Sequence, residues 1–452
     1  MSLDTETFAP ALQSERAQTA LLDTGPLSII PPAEFNFDVA IVGLGYVGLP
    51  TALALHTAGA RVLGLDVSNR RLATIRNGEA DLLESDRERL VTALIDNNFL
   101  LAGDPFLLSN AAAVIICVPT PIDVYQTPDL TILAKACAMV VDAAVPGQLI
   151  MLTSTTYAGC TRDMLIAPLE QRGLTVGRDI FICFSPERID PGNARFEHED
   201  VPRVVGGATI ACRTAGEALL GLYALNLHSV SSLEAAEMTK LLENTFRAVN
   251  IALANEFAEA CLALDLPVIE IIEAAATKPY GFMPFYPGAG VGGHCIPCDP
   301  HYLLWQLRKQ RITLPVIENA MTEIAARPRR VVDRVRQTLA DDCRPLTGAR
   351  ILIIGVAYKP DVADLRESPA LEILMLLKSN GAEIAYYDPY FESLSLHDGT
   401  ELEGVIEPAA FGADLVLLHT PHTATDWAWL PANTPVLDTT YRATSIPNRI
   451  SL

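Results

Sequence analysis

From Phe37 onward the chain alternates short apolar runs with longer stretches of mixed character. "DVAIVGLG" predicts a buried strand, "GLPTALALHTAG" a helix closed by Gly59, and "RVLGLDV" a second strand. "AAAVIICVPTP", "QLIMLTSTT" and "DIFICFSPE" follow, each an apolar run stopped by polar residues or proline. Strands that are apolar throughout and spaced by helices predict a parallel sheet covered on both faces.

The middle reads differently. Ser232 to about Leu264 holds no glycine or proline and is rich in Ala, Leu and Glu. This predicts one helix well above the usual ~10–14 residues, long enough to act as a spine between domains. A second long helix is expected from about Tyr302, and a third from Leu314 that Pro328 kinks or interrupts. Near Gly348 the first pattern returns. "ARILIIGVAY", "EIAYYDP", "ADLVLLHTPH" and "TPVLDTT" predict strands, and "SPALEILMLLKSNGA" a helix ending at Gly381. The fold class is therefore α/β: two Rossmann-like doubly wound domains joined by a central helical region with a long spine helix. The divisions fall at a Pro-punctuated flexible arm (1–36), a dinucleotide-binding domain (37–228), a helical region (229–330) and a C-terminal Rossmann-like domain (331–452).

Composition narrows the function. Half of the 452 residues are hydrophobic and 19% are charged, which suits a packed enzyme. The formal net charge is −21 without any Lys/Arg tract, so neither nucleic acid nor an anionic membrane is an expected partner. No run approaches ~18 apolar residues, and no leader pattern opens the chain. Nine scattered cysteines read as small buried residues of a reducing compartment, the cytoplasm, rather than a disulfide framework.

The first chemical motif is Gly43-Leu44-Gly45-Tyr46-Val47-Gly48, a GxGxxG directly after a strand and opening a helix. The first glycine permits the tight turn and the second a close backbone approach to a pyrophosphate. The third lets helix and strand pack, while the helix N-terminus presents N–H groups to the anion. Asp66 lies about 20 residues further on, where a ribose hydroxyl would be held, and favours NAD over NADP. Arg70 and Arg71 close behind leave NADP open. "CVPTP", with Pro119 and Thr120, ends another strand at the same edge, where open α/β sheets bind ligands.

The second motif is "GVGGHCIPCDPHYL", Gly290 to Leu303. Three chemistries use such a stretch: a zinc knuckle, a redox dithiol, or one nucleophilic sulfur on a glycine turn. Zinc needs four ligands, and no second pair stands downstream, so no metal is expected. A nucleophilic thiolate needs a positive or hydrogen-bonding neighbourhood. Lys240 and Asn244, at i and i+4 of the predicted spine, could steady an oxyanion, or could form a solvated polar face.

"GLGYVGLP", "STT", "SPERIDPGN", "EMTKLLENTFRAVNIALANE", "GVGGHCIPCDP" and "GVAYKPDVADLRESPA" occur here in one order. From Phe37 to about Asp438 the chain thereby resembles the UDP-glucose/GDP-mannose dehydrogenases. The resemblance implies oxidation of a sugar-nucleotide C6 alcohol to a carboxylate with NAD as cofactor, in a homodimer joined through the central helices. Cys295 would add to the C6 aldehyde, with Lys240 and Asn244 steadying oxyanions. Asp299 and Thr155 would position water, and Glu187 would move a proton. Arg188, Phe285, Tyr286, Gly292 and Lys359 would line the substrate pocket, and Arg366 would reach the substrate of the neighbouring subunit. His294 and Cys298 keep structural readings. Pro191 and Gly192 stand where UDP-glucose enzymes carry a second glutamate. UDP-N-acetylglucosamine is thus favoured as substrate, ahead of UDP-N-acetylmannosamine and UDP-glucose. A two-electron hydroxyacid dehydrogenase and a non-catalytic NAD- or nucleotide-sugar-binding regulator are the rival readings.

Overall fold

A computed structural model describes residues 35–82, 84–188, 199–293, 295–423, 425–446 and 448–452. The readings of the N-terminal arm up to Glu34, of Pro191 and Gly192, and of His294 lie outside the described residues.

The first sheet comprises β1 (Phe37–Val42), β2 (Val62–Leu65), β3 (Phe99–Ala102), β4 (Ala111–Ile116), β5 (Leu149–Leu152), β6 (Phe181–Phe184), β7 (Arg203–Gly207) and β8 (Leu227–Ser229). Its order is β3-β2-β1-β4-β5-β6-β7-β8. The first six strands are parallel and follow the 3-2-1-4-5-6 order of dinucleotide-binding sheets. The crevice where strand order reverses therefore lies between β1 and β4. Val39 and Ile41 of β1 pack into one apolar cluster, and Ala40 and Val42 into another on the opposite face. This two-sided burial is why the strand reads as continuous apolar sequence. Each such Val or Ile contributes about 1.5–3 kcal/mol, and Ile41→Ala would cost about 2–5 kcal/mol.

The second sheet comprises β9 (Arg350–Ile354), β10 (Glu383–Tyr387), β13 (Leu415–Leu418), β14 (Val436–Asp438) and β15 (Arg449–Ser451), in the order β10-β9-β13-β14-β15. A small hairpin of β11 (Ser393–Ser395) and β12 (Glu401–Glu403) stands beside it. All pairings within the five-stranded sheet are parallel, again a doubly wound arrangement.

Between the sheets runs the spine helix, Leu233–Ala263, 31 residues long. At 1.5 Å per residue it spans about 46 Å. Its start is fixed by Ser232, whose side chain accepts a hydrogen bond from Ala235 N at 3.1 Å, satisfying one free N–H of the first turn. The helix expected from Tyr302 is instead Asp299–Arg308, only ten residues long. The Asp-Pro pair starts it three residues early, because proline suits the first turn and an acid complements the positive end of the helix dipole. The helix from Pro315 runs to Asp341 straight through a buried Pro328. Val331, Val332 and Val335, all buried beyond it, hold the helix together where proline removes a bond. Among the described residues no helix is long and apolar enough to cross a membrane, and no cluster of His, Cys, Asp or Glu is arranged to hold a metal ion.

Candidate active site

The glycine loop stands at the β1–β4 crevice. Gly43 has φ +92°, and a Cβ there would meet the Cys117 carbonyl at 2.8 Å; at Gly48 a Cβ would lie 1.8 Å from the Gly43 carbonyl. Gly45 is the informative one, because a Cβ on it meets nothing within 4 Å. It faces a gap that a side chain would fill, the space a bound pyrophosphate needs. Asp66 accepts from Leu44 N at 2.9 Å and Ser68 N at 2.8 Å, and Arg71 Nε donates to Leu44 O at 2.8 Å. Tyr46 and Val47 are half-buried, Pro119 is exposed, and Thr120 is buried with its carbonyl accepting from Tyr302 Oη at 3.1 Å. These residues fit NAD. Asp66 would meet the adenosine ribose, and the first N–H groups of helix Gly48–Thr57 the pyrophosphate.

One face of the spine helix carries a line of polar groups that the protein buries rather than solvates. Glu237, Lys240 and Asn244 are all buried. Glu237 accepts from Gly159 N, Thr161 N and Thr161 Oγ1, so it clamps the loop that follows β5. Lys240 Nζ donates to Glu187 O at 2.8 Å, and Asn244 Nδ2 donates to Asp299. The solvated-face alternative for Lys240 and Asn244 is thereby excluded.

Cys295 lies on an exposed turn just before helix Asp299–Arg308, and its carbonyl accepts from Asp299 N at 2.8 Å. Protein atoms still crowd the sulfur. Burial pushes the thiol up, the Asp299 charge raises it further, and Lys240, Arg247 and Arg366 pull it down. Cys298 is buried, its thiol pushed up to about 12 mainly by burial. Neither sulfur is in a disulfide. Asp299 is almost wholly buried, and burial pushes its carboxyl up to about 6 against the opposing pull of Lys240, Asn244 and Thr155. A carboxyl titrating near neutrality beside a thiol, an ammonium and a hydroxyl suits proton transfer.

Other expected residues have defined partners. Glu187 pairs with the buried Arg203 guanidinium and accepts from Arg188 N at 2.7 Å. Arg188 donates to Pro202 O and to Glu243. The Arg366 guanidinium makes a forked pair with Asp364, with contacts of 2.6–3.0 Å. It also lies 5.1 Å from the ring centre of Tyr46 in the same chain. Gly292 packs against Tyr358 and Glu367, leaving no room for a Cβ, and Gly293 N donates to Arg366 O at 2.9 Å. Phe285 meets Phe246 edge-on, while Tyr286 stacks under Arg442 at 3.8 Å. Lys359 is half-buried nearby in sequence.

Sequence reasoning passed over Arg203, Glu237, Arg247 and Asp364. Glu237 and Arg247 did carry a signal: they continue the helical line of Lys240 and Asn244, three residues before and after. Arg203 and Asp364 carry none, because their partners are set by tertiary folding.

Comparison with known proteins accords with this geometry. The UDP-glucose/GDP-mannose dehydrogenase family models match in three parts: the NAD-binding domain over residues 37–224, the central domain over 234–323 and the UDP-binding domain over 352–442. An NDP-N-acetyl-D-galactosaminuronic acid dehydrogenase of Ralstonia solanacearum is 33% identical over 394 residues, 85% of this chain and 90% of that protein. A UDP-N-acetyl-D-mannosamine dehydrogenase of Escherichia coli K12 is 36% identical over 351 residues, 75% and 82% of the two chains. Among solved structures, a UDP-D-ManNAc dehydrogenase from Pyrococcus horikoshii superposes with a TM-score of 0.83 at 30% identity, covering 91% of this chain and 98% of the other. The chain belongs to the UDP-glucose/GDP-mannose dehydrogenase family and is an NAD-dependent nucleotide-sugar dehydrogenase.

Proposed function

We propose that the substrate is a UDP-N-acetylhexosamine, oxidised at C6 to the uronate in two successive two-electron steps. The observation that carries this reading is the cluster around the Cys295 sulfur: the buried Asp299, Lys240 and Asn244, with Thr155 bonded to Asp299. NAD, when bound, accepts the hydride in each oxidation. In the first step the C6 hydroxyl proton leaves toward the Asp299–Thr155 pair. The Cys295 thiol then adds to the aldehyde: a C–S bond forms, the carbonyl π bond opens, and the proton finishes on oxygen as a thiohemiacetal. Lys240 and Asn244 steady the negative oxygen as it develops. Loss of the second hydride and the hydroxyl proton leaves a thioester, and water attacks it with Asp299 as base, releasing the carboxylate and the thiol. Asp299 suits that role better than Glu187, whose carboxylate is committed to Arg203.

Similarity to proteins named for UDP-N-acetyl-D-mannosamine supports the manno epimer over the gluco epimer favoured by the sequence reading. Arg366 lies over Tyr46 of its own chain, which supports a role at that chain's crevice. A homodimer fits the exposed Leu242, Phe246, Leu253 and Phe257 along the spine helix, and nine unpaired cysteines fit a reducing cytoplasm. The test is NADH formation at 340 nm with the gluco, manno and galacto UDP-N-acetylhexosamines and UDP-glucose. Two NADH per sugar with one N-acetylhexosamine is expected. One NADH per sugar, or none with any of them, overturns the reading.

A further inference from the structure

The buried Arg327 guanidinium is joined to three separate parts of the chain. Arg327 sits in the middle of helix Pro315–Asp341 with 1% of its side chain exposed. Its Nε donates to Gly288 O at 2.9 Å, one Nη donates to Glu259 of the spine helix, and the other donates to Tyr441 Oη at 2.8 Å. Fully buried arginine is rare, because desolvating the charge is costly unless every arm is paired. Here all three arms are used, and each reaches a different element.

The partners matter as much as the cation. Gly288 belongs to the 285–293 loop that leads into Cys295, and its N–H is held too, by Asn255 Oδ1 at 2.9 Å. Both polar groups of one peptide position are therefore fixed, one from the spine and one from Arg327. Tyr441 follows β14 and has φ +62°, a conformation a bulky aromatic residue adopts only when its surroundings impose it. Asp438 imposes it, accepting from Thr440 N at 2.8 Å and Ala443 N at 2.9 Å. The same turn aims Tyr441 inward to Arg327 and lays Arg442 on Tyr286, one residue beyond Phe285 in the loop. The turn after β14 thus grips the cysteine-bearing loop twice.

We propose that Arg327 is a positioning residue for the oxidation: through Gly288 and Tyr441 it fixes the pose of the 285–293 loop, and with it Cys295, against the second sheet. This rests on the reading of Cys295 as the reacting sulfur. The chemistry asks for such a device, since a misplacement of about 1 Å can cost about a hundredfold in rate.

Three variants test it: Arg327→Met, which keeps bulk and loses all three bonds; Arg327→Lys, which keeps the charge; and Tyr441→Phe, which removes one hydroxyl. Each is measured for kcat and for KM of both substrates, and for the alkylation rate of Cys295 by iodoacetamide, read by peptide mass without sugar or NAD. Arg327→Met is expected to lower kcat by about ten- to a hundredfold with the KM for NAD within about twofold, and to change the alkylation rate by at least about threefold. Arg327→Lys recovers part of both, and Tyr441→Phe shows a smaller loss of the same kind. Unchanged kcat and unchanged alkylation in folded Arg327→Met overturn the assignment. If that variant does not fold, wild-type behaviour of Tyr441→Phe in both measurements overturns it. A wild-type enzyme that forms no NADH rejects the proposed reaction instead, and the alkylation readout still reports on the loop.

Discussion

The two sheets begin in the same way and end in different uses. In each, a glycine with positive φ follows the first strand: Gly43 after β1 at +92° and Gly355 after β9 at +76°. In each, that glycine's N–H donates to the last residue of the neighbouring strand, Gly43 to Leu65 O at 2.8 Å and Gly355 to Tyr387 O at 2.9 Å. An aspartate comes next after that strand and accepts from loop N–H groups, Asp66 from Leu44 N and Asp388 from Val356 N and Ala357 N. There the likeness stops. Asp66 is half-buried beside the open gap at Gly45, and a helix starts at once at Gly48. Asp388 is buried and also bonded to His422 Nε2 at 3.0 Å. Burial would raise the Asp388 carboxyl, but the bonds from His422, Tyr390 N and Val356 N hold it below the ordinary range. The chain after Gly355 then makes a long excursion before helix Pro369–Ser379, and that excursion carries Tyr358 and Arg366 to the cysteine loop. One doubly wound start makes a cofactor cradle. The other binds its aspartate into a buried hydrogen-bond network and sends its loop to the cysteine turn, within the stretch that matches the UDP-binding domain.

The sharpest way to break this comparison is to put a methyl group on corresponding loops. At Gly355 a Cβ would lie 1.8 Å from the Thr420 carbonyl, so Gly355→Ala is expected to cost about 4 kcal/mol or more in urea unfolding. Gly45→Ala should leave stability within about 0.5 kcal/mol and raise the KM for NAD about tenfold or more. Destabilisation by Gly45→Ala as large as that by Gly355→Ala would mean that Gly45 does not face open space. The aspartates give the next largest contrast. Asp388→Ala removes a buried acceptor from several donors and is expected to cost about 3 kcal/mol, seen as a lowered midpoint with an unchanged KM for NAD in the folded fraction. Asp66→Ala should do the reverse, weakening NAD about tenfold and narrowing its preference over NADP, with little change in Tm. The smallest effect concerns the seam between the sheets. Asp299, pushed up to about 6, acts when ionised. Turnover should therefore rise with pH through about 6, and a kcat profile flat between pH 5 and 7 (roughly the span of one titration) would remove Asp299 as the base.

Much of this was legible in the chain. Every apolar run read as a strand is one, because strands buried on both faces have no polar position to confuse the pattern. β3, β7, β8, the β11–β12 hairpin and β15 were passed over: they are short, and β7 ends in glycines. The spine helix was read to within a residue at each end, since Ser232 is a strong cap and no breaker follows. The site was only partly legible. Periodicity put Lys240 and Asn244 on one face but could not say that the face is covered, because what covers it is the Glu187 segment after β6 and the turn of Asp299, far away in sequence. Arg327, within "ARPRR", was not singled out, yet it is among the most buried side chains of the described residues. Burial of a charge depends on partners that only the tertiary fold assembles: Gly288, Glu259 and Tyr441 here, and Arg203 for Glu187.

The most direct test is the mass of Cys295 itself during turnover. Asp299→Asn keeps Thr155, through which solvent water still takes the C6 proton slowly, but lacks the base for thioester hydrolysis; it is incubated for hours with UDP-N-acetylmannosamine and NAD, quenched in acid and digested. The peptide carrying Cys295 should gain the mass of the oxidised sugar nucleotide, and a Cys295→Ala, Asp299→Asn double variant should show no adduct on that peptide. An unmodified Cys295 peptide, together with undiminished release of two NADH per sugar from the Cys295→Ala single variant, would show that the sulfur takes no part in the reaction.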